Sequence, residues 1–108
     1  RLNSFVKYFD MSFNLLKELP DNFLLNLIWL REINFSHNKI SFIHQNSLKK
    51  KNFLKFINLS FNQINFIEED FFTDTNDLLI LDLSYNLIKD MKKFAFINLF
   101  NLIYLNLS

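Results

Sequence analysis

Apolar residues recur along this chain on a frame of 24 residues. The frame is clearest in Leu78 to Met91, LLILDLSYNLIKDM, where Leu78, Leu81, Leu83, Ile88 and Met91 are apolar and Asn86 stands between them. One period earlier come Leu54, Ile57, Leu59, Asn62, Ile64 and Ile67, and before those Leu30, Ile33, Phe35, Asn38, Ile40 and Ile43. Val6, Phe9, Met11, Asn14, Leu16 and Leu19 repeat the frame more loosely, and Leu102, Leu105 and Leu107 open a fifth copy. Counting the first apolar residue of each copy as position one, the repeats are 6–29, 30–53, 54–77, 78–101 and a partial 102–108. Positions four and six are apolar between polar or mixed neighbours, as at Ile57 and Leu59. That period of two predicts a short strand with one buried face. Strands at equivalent places in successive repeats must be parallel, about 4.8 Å apart. Each is too short to stand alone, so stacking builds the core and stability becomes a sum of neighbour terms.

The second half of each repeat is less regular. Glu68 to Asp77, EEDFFTDTND, shows no helical stripe and several turn-forming residues, which predicts short turns or 3₁₀ turns. A large apolar residue recurs at position nineteen (Leu24, Leu48, Phe72, Phe96), and an aromatic column precedes the strands at Phe5, Trp29 and Phe53. Both keep the register, so we expect a spine behind the strands; a stacking platform for bases or sugars is the alternative. Lys51 and Thr75 stand where Leu27 and Leu99 do in the neighbouring copies, which leaves the convex packing of the second and third repeats open.

Two polar columns share the register. Asn14, Asn38, Asn62 and Asn86 fall at position nine, where the chain must turn and its backbone groups leave the sheet ladder. A buried amide there offers donors and an acceptor, so a ladder of stacked Asn side chains is expected. Ser12, Ser36, Ser60, Ser84 and Ser108 fall at position seven and are expected to face outward. Gly is absent and Pro occurs once, so turns are made another way; Asn tolerates left-handed backbone better than most residues.

Composition narrows the function. Half of the 108 residues are hydrophobic, enough for one domain with an adequate core. A formal charge of +1 gives no bulk field, so neither nucleic acid nor direct membrane contact is expected of this segment. Without Cys there is no disulfide framework and no thiolate metal site. No uninterrupted apolar run reaches the ~18 residues of a spanning helix. Both ends break within a repeat, which leads us to expect a piece of a longer protein.

These residues carry a resemblance. The LxxLxLxxNxIxxI frame, the LxLSxN core and the Phe96, Leu99, Leu102 spacing resemble leucine-rich repeats of the typical class found in Toll-like receptors, adhesion ectodomains and insect immune proteins. It covers nearly the whole chain and implies an α/β solenoid: a horseshoe with short parallel strands on the concave face and loops or 3₁₀ turns on the convex one. It also implies a protein ligand held on the concave face or a flank. An extracellular or cell-surface binding module is the leading expectation, and a cytoplasmic scaffold built on the same solenoid is the alternative.

The frame lists the outward positions. Position three gives Tyr8, Glu32, Phe56, Ile80 and Tyr104; position five gives Asp10, Asn34, Asn58, Asp82 and Asn106. Position two gives Lys7, Arg31 and Lys55, then Leu79 and Ile103, while position eight gives Phe13, His37, Phe61 and Tyr85. One end of the face is therefore basic at its edge, and the other carries an apolar group of Leu79, Ile80, Ile103 and Tyr104. Exposed apolar groups and aromatic anchors mark interaction sites, so Tyr8, Glu32, Phe56 and that group form the candidate ligand face.

No catalytic constellation, cofactor or metal site is expected. His37 and His44 lie on opposite sides of the repeat and cannot share a metal. Asp10 and Asp82 are three repeats apart, roughly 14 Å, too far to act as a pair. The runs Lys49-Lys50-Lys51 and Glu68-Glu69-Asp70 are expected on a solvated convex face, with Glu68 and Glu69 one period before Lys92 and Lys93. Three glycosylation sequons begin at Asn34, Asn58 and Asn106, all at position five. Polar-Leu-Ser is also simply how the frame is written, since Asp82-Leu83-Ser84 has the same shape.

Overall fold

The structure is a computed structural model describing residues 5–21, 24–89, 95, 96 and 98–108. Five strands, β1 (Tyr8–Asp10), β3 (Glu32–Asn34), β5 (Phe56–Asn58), β6 (Ile80–Asp82) and β7 (Tyr104–Asn106), form one parallel sheet in sequence order. Register follows the frame: Ile33 pairs with Phe9 and Ile57, and Leu81 with Ile57 and Leu105. Each strand lasts three residues, positions three to five, before the chain bends at hydrogen bonds from position seven back to position five, as from Ser60 to Asn58. A second parallel pair, β2 (Glu18–Leu19) with β4 (Phe42–Ile43), lies after the turn, and the frame did not foretell it.

The inward residues form one core running the length of the stack. Ile33, Phe35, Ile57, Leu59, Leu81 and Leu83 are buried beneath the sheet, and Leu19, Ile40, Ile43, Ile64 and Ile67 close it beyond the turn. Leu105 occupies the same position in the outer strand β7 and is 37% exposed, against 0% for Leu81, which has a strand on each side. Lateral neighbours, not residue type, set burial here.

The convex side is made of turns closed by bonds three residues apart, such as Phe71 N–H to Glu68 O, Thr73 N–H to Asp70 O and Leu78 N–H to Thr75 O. No helix occurs among the described residues. Leu48 and Phe72 of position nineteen are buried, with Leu24 and Phe96 packed beside them. Lys51 and Thr75 are both buried as well. Thr75 bonds through Oγ1 to Phe72 O at 3.3 Å, while Lys51 Nζ reaches only Lys49 O, at 3.4 Å. Desolvation pushes the Lys51 ammonium below its ordinary pKa. Lys51 is thus not part of a solvated face. Met91 and the paired run Lys92-Lys93 lie outside the described residues.

The other aromatic column corrects an expectation. Phe5, Trp29 and Phe53 do not fill space behind the strands; all three are exposed, and Trp29 stacks on Phe53 with centroids 4.9 Å apart. Periodicity shows that positions share an environment, and does not say that the environment is the interior.

Candidate functional site

The turn that ends each strand is held by the Asn column. In Asn62, Nδ2 donates to Leu59 O and Ser60 O of its own repeat and to Phe35 O of the one before, at 3.0–3.1 Å. Its Oδ1 accepts from Ile40 N at 3.0 Å. Asn38 and Asn86 repeat the pattern. Asn38 and Asn62 are buried, whereas Asn14, in the outer repeat, is exposed and keeps only the bonds to Met11 O and Ser12 O.

Position five holds the first bend differently. Asn58 Oδ1 accepts from Ser60 N at 3.0 Å and Ser60 Oγ at 2.7 Å, and the same pair of bonds forms at Asn34, Asp82, Asp10 and Asn106. The two hydrogen bonds from Ser12, side chain first and then backbone, hold the Asp10 carboxyl below its ordinary pKa. These bonds also explain why Ser36, Ser60 and Ser84 are buried instead of facing out. The strand has ended at position five, so its alternation no longer governs position seven.

Left-handed backbone falls one residue before the Asn column. Phe13, His37, Phe61 and Tyr85 have φ of 56–58°, and Leu24 and Lys50 are also positive. Asn does not take this conformation here because its amide is committed inward. The N–H of each position-eight residue donates to the Ser carbonyl of the next repeat, as Phe61 N to Ser84 O at 3.0 Å. Their rings stack in one continuous column, Phe13 on His37 on Phe61 on Tyr85, with centroids 4.2–4.3 Å apart. That stacking offsets part of the cost of a bulky left-handed residue, roughly 1–2 kcal/mol. The sequence signal was an aromatic or His at position eight of every complete frame.

With the interior accounted for, the concave face remains. Tyr8, Glu32, Phe56 and Tyr104 are exposed, and Ile80 and Leu79 are half-buried. Ile103 is exposed in the outer strand's repeat, where no further strand lies beside it. Tyr8, Asp10, Glu32, Asn34, Phe56 and Asn58 frame a shallow hollow of about 310 Å³. Asn34 and Asn58 are half-buried there, their Oδ1 atoms engaged by Ser. Along one rim lie Lys7, Arg31 and Lys55 with Trp29 and Phe53.

Several sequence candidates stay apart. His37 belongs to the ring column, while His44 meets Glu18 at 3.6 Å beside the second sheet. Asp10 and Asp82 sit in β1 and β6, with two strands between. Among the described residues no group of three His, Cys, Asp or Glu side chains could hold a metal, and no helix is long and apolar enough to cross a membrane.

Comparison with known proteins agrees with this architecture. The family model described as leucine rich repeat matches residues 6–64 and 53–108. No curated protein sequence matches. Among solved structures, a crystal structure of a TLR13-ssRNA13 complex is similar at TM-score 0.89 and 27% identity over 94% of this chain. A glycosylated Toll–Spatzle complex from Drosophila is similar at TM-score 0.90 and 25% identity over 94% of this chain, and a second structure of that complex at 0.84 and 26% over 87%. The chain spans 15%, 14% and 12% of those three chains, respectively.

Proposed function

We propose, since the chain belongs to the leucine-rich repeat family, that it is a protein-binding module of an extracellular recognition, adhesion or innate-immune receptor. The observation that carries this reading is the division of labour within each repeat. Positions four, six and nine build the interior, so the side chains of position three are released from structural duty. Tyr8, Glu32, Phe56 and Tyr104 stand exposed on a rigid sheet, and large exposed aromatics are the usual anchors of a protein interface. The apolar group of Leu79, Ile80, Ile103 and Tyr104 extends that face at the other end. Similarity to Toll in complex with Spatzle supports a protein ligand. RNA, named in the TLR13 complex, fits this chain less well, because a net charge of +1 offers little to a polyphosphate. Catalysis has no support in the side-chain groupings described above.

Two measurements test the reading. A photo-crosslinking residue placed at Phe56 or Tyr8 of the intact, secreted protein should capture a protein ligand, while the same residue at convex Glu69 should not. Equal capture from both faces overturns the assignment of the concave face. Intact mass before and after enzymatic removal of N-glycans tests the compartment: a glycan is expected on at least one of Asn34 and Asn58. Such a glycan would cover the middle of the sheet and direct binding to the apolar end or a flank. An unchanged mass removes this support for the extracellular reading.

A further inference from the structure

We infer that the rim formed by Lys7, Arg31, Lys55, Trp29 and Phe53 docks an extended acidic segment of a partner protein. This site is separate from the position-three face and stands or falls independently of it. Three cations occupy position two of three successive repeats, and a backbone ladder fixes their spacing. Arg31 N–H donates to Lys7 O at 2.7 Å, Lys55 N–H to Arg31 O at 2.8 Å, and Leu79 N–H to Lys55 O at 2.9 Å. Lys55 meets Asp77 at 3.8 Å; among the described residues no carboxylate lies within ion-pair distance of Lys7 or Arg31, and both are exposed. Lys7, Arg31, Trp29 and Phe53 enclose a groove of about 180 Å³. Trp29 and Phe53 remain about two-fifths exposed in it, a large apolar surface left open beside unpaired cations.

Charge and ring geometry choose the occupant. Three cations spread over two strand steps, about 10 Å, present a line of positive charge that an extended segment bearing several carboxylates can follow. Trp29 and Phe53 stack on each other at an interplanar angle of 11°, so their facing surfaces are already covered. Both rings stay about two-fifths exposed, and a ring edge carries a partial positive charge that suits carboxylate oxygens, while the rest of the ring suits apolar side chains. A nucleic acid strand needs a stronger field for its phosphates than three cations on a chain of net charge +1 supply. The rim is also bounded: Asp77 takes the aromatic position in the next repeat, and Leu79 the basic one.

The test is fluorescence anisotropy on the intact protein, with a fluorescein-labelled peptide of alternating Glu and Val residues and, separately, a labelled single-stranded oligouridylate. The peptide should bind, and more weakly as salt is raised. Arg31→Glu should weaken it by about tenfold or more, Trp29→Ala should also weaken it, and Lys39→Glu, the same charge change elsewhere on the surface, should leave it unchanged. Circular dichroism checks each variant's fold, and Arg31→Gln, a milder change, serves if Arg31→Glu does not fold. Equal weakening by Arg31→Glu and Lys39→Glu overturns the proposal, as does the absence of peptide binding. Tighter binding of the oligouridylate, weakened by the same rim variants, also overturns it and assigns the rim to nucleic acid.

Discussion

Two columns of side-chain hydrogen bonds run along the solenoid, and they obey different rules. At position nine both ends of the amide are in use: Asn62 donates through Nδ2 to three carbonyls and accepts through Oδ1 from Ile40 N. At position five only the acceptor oxygen is engaged, and Asp10 and Asp82 make the same bonds as Asn34 and Asn58. A carboxylate accepts but does not donate. It can therefore stand in at position five and not at position nine, which accounts for a mixed column beside one that is Asn in every complete frame. The sequons at Asn34, Asn58 and Asn106 thus have a structural reason to exist whether or not they carry sugar.

The sharpest way to break this comparison is to make one change in both columns. Asn62→Asp should remove the two N–H donors that three carbonyls share and set a carboxylate against those carbonyls, with an expected loss on the order of 3–5 kcal/mol, read from urea denaturation. Asn62→Ala, which only leaves partners unpaired, should cost about 1–3 kcal/mol. If Asn62→Asp proved as mild as the same change at Asn58, the two columns would not differ as described.

Lys51 sharpens the contrast from another side, being 1% exposed with a single long bond. Its folded pKa is lowered, so the penalty is fully present below that value, shrinks as pH rises, and vanishes above the ordinary 10.5. Lys51→Met should raise stability near neutrality by about 1 kcal/mol, and the gain should diminish in alkaline solution. A gain independent of pH up to that range would assign it to packing alone.

Smaller still is Asn58→Asp, expected to stay within about 0.5 kcal/mol of the parent at neutral pH in the same denaturation assay. The least effect is expected at Asp10. Its folded pKa is lowered, so its contribution is present above the ordinary value of 3.8 and lost as pH falls through the folded one. Asp10→Asn should keep the bonds from Ser12 and remove that acid dependence, seen as a flatter stability curve at low pH. An unchanged curve would mean that the bonds from Ser12 do not make Asp10 a source of the acid dependence.

Much of the fold was legible because the frame encodes burial twice over. Ile57 and Leu59 alternate with polar residues locally, and they also recur one repeat on, so strand, face and register agree. The Asn column followed from asking where the backbone groups of a turn find partners. What was not legible lay outside the five main strands. Phe5, Trp29 and Phe53 recur in register without local alternation, and they proved to be outside. Ser60 kept the alternation but lay past the strand's end, and it proved to be inside. Glu18–Leu19 and Phe42–Ile43 form a ladder too short to leave any pattern. On the candidate face, Tyr8 and Glu32 followed from parity alone, while the ring column at position eight needed φ values that sequence does not print.

Trp29 is the only tryptophan in the chain, and its ring lies against Phe53 across the step between the first and second repeats. The protein therefore carries a single indole fluorophore at one known joint of the stack. Its emission reads the local polarity of that step alone, so a solenoid that opens repeat by repeat would shift colour when this joint parts and not when the far end does. The light reports where along its length the molecule yields.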